Sequence, residues 1–267
     1  MKIIRFRDHQ GRELLGALRD DGKAEVLADS PLGQGAQVGE VCEIAKLLAP
    51  IEPAAILAIG LNYRHHAEES GAKIPEYPIL FVKTPNTLQH PGDPIYLPTA
   101  LKSDEVDYEC ELAVVIGQTC KNVKREEALD YVLGYTCAND VSARDWQVKK
   151  GGSQWCRGKS FDTFCPLGPA IVTTDEIPNP NNLTIKTILN GVEVQSWNTN
   201  DMIFDVPTLI EFLSGSTTLH AGTVILTGTP HGVGMAHKPP LWLKLGDIVS
   251  IEIESIGTLT NPVLNEA

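Results

Sequence analysis

The stretch DEVDYECELAVVIG, residues 104–117, sets acids at alternate positions (Glu105, Asp107, Glu109 and Glu111) and then turns apolar. Side chains of an extended chain alternate faces, so Glu109 and Glu111 share a face that Ala113 and Val115 carry into an interior. Neighbouring carboxylates at the rim of a core repel one another unless a cation, a shared proton or full solvation relieves them. A third acid, Asp140, closes the apolar run GYTCAND. Three carboxylates from two strand regions suit a hard divalent cation with oxygen ligands. Mg²⁺ is the most natural choice, because its octahedral shell keeps positions for water or substrate. A solvated strand edge plus a turn-forming Asp satisfies the same spacing, so spacing alone leaves both readings open.

Three further segments carry chemistry-bearing residues. In GLNYRHHAEESG an apolar strand ends at Gly60, Asn62 is placed to cap a short helical turn, and His66 and Glu69 fall three apart on one helix face. A carboxylate beside an imidazole fixes its tautomer and raises its basicity, as a general-base dyad requires, although an ordinary surface pair has the same spacing. In SARDWQVKKGGSQWCRGKSFD, Arg144, Gln147 and Lys159 flank a Gly151-Gly152 turn. Cations beside a metal would bind a substrate carboxylate, and the turn is suited to moving as a lid. In LTGTPHGVG three glycines surround Thr229 after an apolar strand, without the Lys-Ser/Thr ending of a phosphate-binding loop. That pattern rejects a nucleotide site and leaves a loop of backbone donors.

The elements that must position these groups are mostly strands, among them YPILFVK, CELAVVIG, GPAIVTT, GTVILTG and DIVSIEIE. Asn190-Gly191 between two alternating runs predicts a two-residue hairpin. Helices are predicted at VGEVCEIAKLLAP (38–50), KREEALDYVLG (124–134) and VPTLIEFLSG (206–215), the last two each closed by Gly. Residues 1–53 read as a small N-terminal lobe of short strands, with a turn at DSPLGQG, and residues 54–267 as a catalytic domain.

Composition narrows the functional classes. A net charge of −12 disfavours nucleic acid or an anionic membrane as partner, since both need a basic footprint. No run approaches the roughly 20 apolar residues of a membrane helix, and the charged N-terminus does not resemble a signal peptide, so the expectation is a soluble, cytoplasmic chain. The six cysteines include no C-x-x-C pair, and several sit inside apolar runs, as reduced core residues do.

Taken together and in this order, GLNYRHHAEE, FVKTPNT, VDYECELAVVIG, ANDVSARDWQ, GKSFDTFCPLGP and ILTGTPHGVG resemble the fumarylacetoacetate hydrolase family over roughly residues 54–263. The resemblance implies a β-rich α+β fold, the mixed β-roll of that family's C-terminal domain. It implies Mg²⁺ or Mn²⁺ on Glu109, Glu111 and Asp140, and a His66–Glu69 dyad with Lys159 as catalytic groups. Arg144, Gln147 and Thr229 match positions that line the family's substrate pocket, and a homodimer is implied as well. The implied substrate is a small anionic 2-oxo acid and the leading expectation is hydrolysis of an acylpyruvate-like compound. Keto–enol exchange of oxaloacetate, or a decarboxylation or isomerisation, is the alternative on the same site, and a non-catalytic metal-binding relative is the reading from a different class.

Overall fold

In a computed structural model, which describes residues 1–28, 32, 37–152 and 154–267, the chain folds around two mixed sheets. At the centre of the larger sheet lies Cys110–Ile116, whose seven residues are all buried. It pairs antiparallel with Val132–Asn139 on one side and Thr223–Leu226 on the other. Beyond Thr223–Leu226 come Ala55–Gly60, in parallel, and the edge strand Ile79–Lys83. On the far side Cys165–Thr173 joins Val132–Asn139 to Lys2–Arg7, so the N-terminal strands extend the same sheet. The smaller sheet is built on the hairpin Thr184–Leu189 and Val192–Asn198, with Ile248–Ile253, Gly257–Asn265 and Ile95–Leu97 beyond it. The architecture is a β-rich α+β roll, and the largest buried apolar cluster lies between its sheets.

The hairpin turn is at Asn190-Gly191, both with positive φ (51° and 80°), the conformation a tight two-residue turn needs. Two helix expectations are corrected. Residues 38–50 form strands Gln37–Cys42 and Lys46–Leu48, paired to Ala24–Leu27 and Lys2–Arg7. The apolar positions there fit a helical period, but two open strand edges supply partners, and Gly39 sits at φ 76°, outside a right-handed helix. Residues 124–134 yield only a short 3₁₀ segment, Arg125–Tyr131. Gly134 belongs to the following strand, where a Cβ would stand 2.2 Å from the Val172 carbonyl oxygen, so this glycine serves strand approach and closes no helix.

The third helix is Val206–Ser214, capped by Asp205 and followed by Gly215. The expected turn at 29–35 lies, apart from Leu32, outside the described residues. Cysteines 42, 110, 120, 137 and 165 are buried thiols and Cys156 is half-buried, all of them free. No helix among the described residues is long and apolar enough to cross a membrane.

Candidate active site

Antiparallel pairing brings the start of Cys110–Ile116 against the end of Val132–Asn139, with Cys110 opposite Asn139 and Glu111 opposite Ala138. The Asp140 N–H donates to the Glu109 carbonyl oxygen at 3.0 Å. Carboxylate oxygens of Glu109, Glu111 and Asp140 consequently lie within 4.8 Å of one another, and all three residues are buried. The four acids that open the sequence do different things. Glu105 faces outward to Lys149 at 2.5 Å, whereas Asp107 is fully buried and accepts from Arg144 Nε at 2.9 Å and from the Gly234 N–H at 2.7 Å.

Cations reach the triad from three elements. Arg144 Nη2 donates to Glu109 Oε1 at 2.6 Å. Lys159, at the end of the helix Trp155–Lys159, donates to Glu109 Oε2 at 2.7 Å and Asp140 Oδ2 at 2.6 Å. Lys83, on the edge strand, donates to Asp140 Oδ1 at 2.5 Å and to the Val141 carbonyl oxygen at 3.2 Å. Sequence reasoning quoted Lys83 within FVKTPNT and gave it no role. The available signal was its alternation with Phe81, which puts an ammonium on a core-facing side where only a buried carboxylate balances it.

Burial would raise the Glu109 carboxyl, but Arg144 and Lys159 hold it well below the usual range. Glu111 goes the other way: burial, with Asp140 and Glu109 beside it, pushes it well up, and the Gly228 N–H donates to it at 2.7 Å. Burial lowers the Lys159 ammonium, and Asp140 and Glu109 more than offset that, so it stays charged. Four buried carboxylates, including Asp107, therefore face three buried cations, and Glu111 is the one of the four in no ion pair among the described residues. That imbalance, with an all-oxygen donor set, fits a divalent cation.

Around this centre the remaining candidates converge. The helix Arg64–Ser70 presents His66, whose Nδ1 lies 3.3 Å from Glu69 Oε2, and Glu69 also accepts the Gly232 N–H at 2.9 Å. Asn62 does not cap that helix: its side chain donates to the carbonyl oxygens of Phe204 and Thr227, tying the strand end to two loops. Gln147 Oε1 accepts from Arg144 Nη1 at 2.9 Å. Thr229 Oγ1 accepts from Gln195 Nε2 at 2.9 Å, and Gln195 Oε1 in turn accepts the Cys110 N–H at 3.0 Å, so one amide of the smaller sheet braces the loop and the Glu109–Glu111 segment together.

The glycine loop is a donor loop, and its donors serve the protein's own carboxylates: Gly228 on Glu111, Gly232 on Glu69 and Gly234 on Asp107. Gly228 must be glycine, with φ 95° and a Cβ position 2.7 Å from the Asn62 Cβ. His66, Glu109, Glu111, Arg144, Gln147, Lys159 and Thr229 all open onto one cavity of about 240 Å³, walled by Phe81, Trp155 and Ile79. Asp140 stands behind them, fully buried.

The profile of the fumarylacetoacetate (FAA) hydrolase C-terminal domain matches residues 55–264. The chain belongs to the fumarylacetoacetate hydrolase family. It is 53% identical over 219 residues to the mitochondrial oxaloacetate tautomerase of Xenopus laevis, covering 82% of this chain and 68% of that protein. It is 49% identical over 218 residues to a human mitochondrial oxaloacetate tautomerase, covering 81% and 69%. Among solved structures it matches the 5-carboxymethyl-2-hydroxymuconate delta-isomerase of Mycobacterium smegmatis, with TM-score 0.88 and 39% identity over 100% of both chains. The fumarylacetoacetate hydrolase of Exiguobacterium antarcticum matches with TM-score 0.88 and 37% identity, again over 100% of both. The family is one of metal-binding enzymes, and the buried Glu-Glu-Asp triad has the all-oxygen donor set that suits a divalent cation.

Proposed function

We propose that this chain catalyses keto–enol exchange of a small 2-oxo diacid, oxaloacetate in the first instance, with Mg²⁺ or Mn²⁺ on Glu109, Glu111 and Asp140. The observation that carries the reading is the convergence of the carboxylate triad, Lys159 and the His66–Glu69 pair on one small cavity. A cation held by the triad would polarise the 2-oxo acid and lower the cost of negative charge at its C2 oxygen. Tautomerisation moves one proton between that oxygen and C3. Glu69 holds His66 through Nδ1, which leaves Nε2 as the atom to take or return the C3 proton. Lys159, kept charged by its carboxylates, would stabilise the oxygen end, and Arg144 with Gln147 would orient a substrate carboxylate. Phe81, Trp155 and Ile79 give the cavity an apolar wall.

The relatives named as oxaloacetate tautomerases, and the delta-isomerase among the structures, catalyse proton relocations with no water consumed. Tautomerisation thus ranks ahead of acylpyruvate hydrolysis, the reverse of the order expected from the sequence. Hydrolysis keeps a place as second reading because of the likeness to the Exiguobacterium antarcticum hydrolase. The test follows the ultraviolet absorbance of enol-oxaloacetate with Mg²⁺, with Mn²⁺ and after chelation, alongside cleavage of acetylpyruvate. Metal-dependent acceleration of enol decay well above buffer is expected. Cleavage of acetylpyruvate with oxaloacetate enol decay at the buffer rate would overturn the assignment.

A further inference from the structure

Each carboxylate of the triad accepts from a donor on a different element, and Lys159 donates besides to the second oxygen of Glu109 and of Asp140. Arg144 Nη2 holds Glu109 Oε1 at 2.6 Å, the Gly228 N–H holds Glu111 Oε2 at 2.7 Å, and Lys83 Nζ holds Asp140 Oδ1 at 2.5 Å. Of these holders Lys83 is the one with no other task in view. It is 3% exposed and donates besides to the Val141 carbonyl oxygen. The cavity is lined by Lys159 and not by Lys83. An ammonium placed there does not meet a substrate; what it governs is Asp140.

We propose that Lys83 is a positioning residue that confines Asp140 to ligation through Oδ2 and, with Arg144 and the Gly228 N–H acting alike on the two glutamates, selects a small six-coordinate cation against Ca²⁺. The proposal rests on the triad being the cation site and is indifferent to which reaction the site performs.

The physical argument is one of coordination number and charge. Ca²⁺ takes about 6–8 oxygens and often draws on both oxygens of a carboxylate, whereas Mg²⁺ demands a near-octahedral shell and keeps several waters. A cation drawing on both Asp140 oxygens would approach an ammonium 2.5 Å from Oδ1, in an interior with little water to screen the repulsion. Lys159 also touches the triad, at Glu109 Oε2 and Asp140 Oδ2. Lys159 bridges these two oxygens and lines the cavity, whereas Lys83 stands off the cavity, with the Val141 carbonyl oxygen as its second acceptor. One-oxygen ligation by three carboxylates leaves half of an octahedral shell for a chelating 2-oxo acid and water.

The test compares Mg²⁺, Mn²⁺ and Ca²⁺ binding by calorimetry in the wild-type chain and in Lys83→Met, with circular dichroism to confirm the fold. Removing one positive charge strengthens every divalent cation alike, so the quantity that reports positioning is the ratio of Ca²⁺ to Mg²⁺ dissociation constants. That ratio is expected to fall by about tenfold or more in Lys83→Met, within the range seen when groups behind metal ligands are replaced. An unchanged ratio, whatever the common shift, overturns the proposal. A measurement on the wild type stands whether or not the variant folds: Mn²⁺ resonance in ¹⁷O-enriched water should report about three water positions, and one or none would overturn it. A wild type that binds none of the three cations would overturn the cation site and this proposal together.

Discussion

His66 and Glu109 separate the two halves of the proposed chemistry. His66→Ala removes the group placed to move the C3 proton, a contribution of about 10²–10⁴-fold, so enol decay should fall by that order while keeping a residual, chelator-sensitive acceleration. Stopped-flow absorbance on wild type and variant checks this, and an undiminished rate would remove His66 from the mechanism. Glu109→Ala should abolish metal-dependent activity at ordinary Mg²⁺ yet leave the fold intact, since it also relieves crowding with Glu111 and Asp140. Calorimetry alongside the activity assay reads it, and full activity without added metal would refute the ligand role. At this scale the candidate site is widely legible: Glu109, Glu111, Asp140, His66, Glu69 and Lys159 all fall in the sequence motifs, four of them line one cavity, Asp140 clusters with the two glutamates behind it, and Glu69 sits against His66. Lys83 and Asp107 were on the page without a role, because a buried ion pair is a property of two positions and the sequence prints them far apart.

Among the elements, the helix Val206–Ser214 is the one whose start and end both follow local chemistry. Asp205 Oδ1 accepts from the Thr208 N–H at 3.0 Å and from Thr208 Oγ1 at 2.6 Å, and Oδ2 pairs with Arg125. Burial raises the Asp205 carboxyl, but the Thr208 hydrogen bonds and Arg125 bring it below its ordinary value. A depressed carboxylate stabilises the fold above its unfolded pKa and loses that contribution as pH falls through the folded one. Asp205→Ala should therefore cost about 1 kcal/mol in urea unfolding at pH 7, and the difference from wild type should shrink below about pH 4. A difference that persists unchanged at pH 3 would point to packing and away from the charged cap. The helix expected at 38–50 shows the opposite case. Its apolar period suits a helix, and the open edges of Ala24–Leu27 and Lys2–Arg7 make it two strands.

For the molecule as a whole, two predictions test whether the site and the fold are one structure. Cation binding to the folded triad alone should raise stability by about 2.7 kcal/mol at a hundredfold excess over the dissociation constant. Thermal unfolding with Mg²⁺ and with chelator reads this, and coincident melting curves would deny the site its coupling to the fold. Gln195→Leu should cost about 3 kcal/mol, because the Cys110 N–H loses the Gln195 Oε1 acceptor inside the core, and should depress activity through Thr229 and the Glu109–Glu111 segment. A stable but inactive variant would assign Gln195 to the site alone; an unaffected one would unlink the two sheets.

By itself the sequence determined the family, the β-rich class, the Asn190-Gly191 hairpin and the identity of the acids and bases, because motifs, alternation and turn chemistry are local. Only the tertiary structure decided which donor holds which carboxylate oxygen. Antiparallel pairing brings residue 109 to residue 140, a strand edge carries Lys83 to Asp140, and a glycine loop lends its N–H groups to Glu69, Asp107 and Glu111. Those partnerships depend on register and on charge balance in a buried interior, and both exist once distant segments have met.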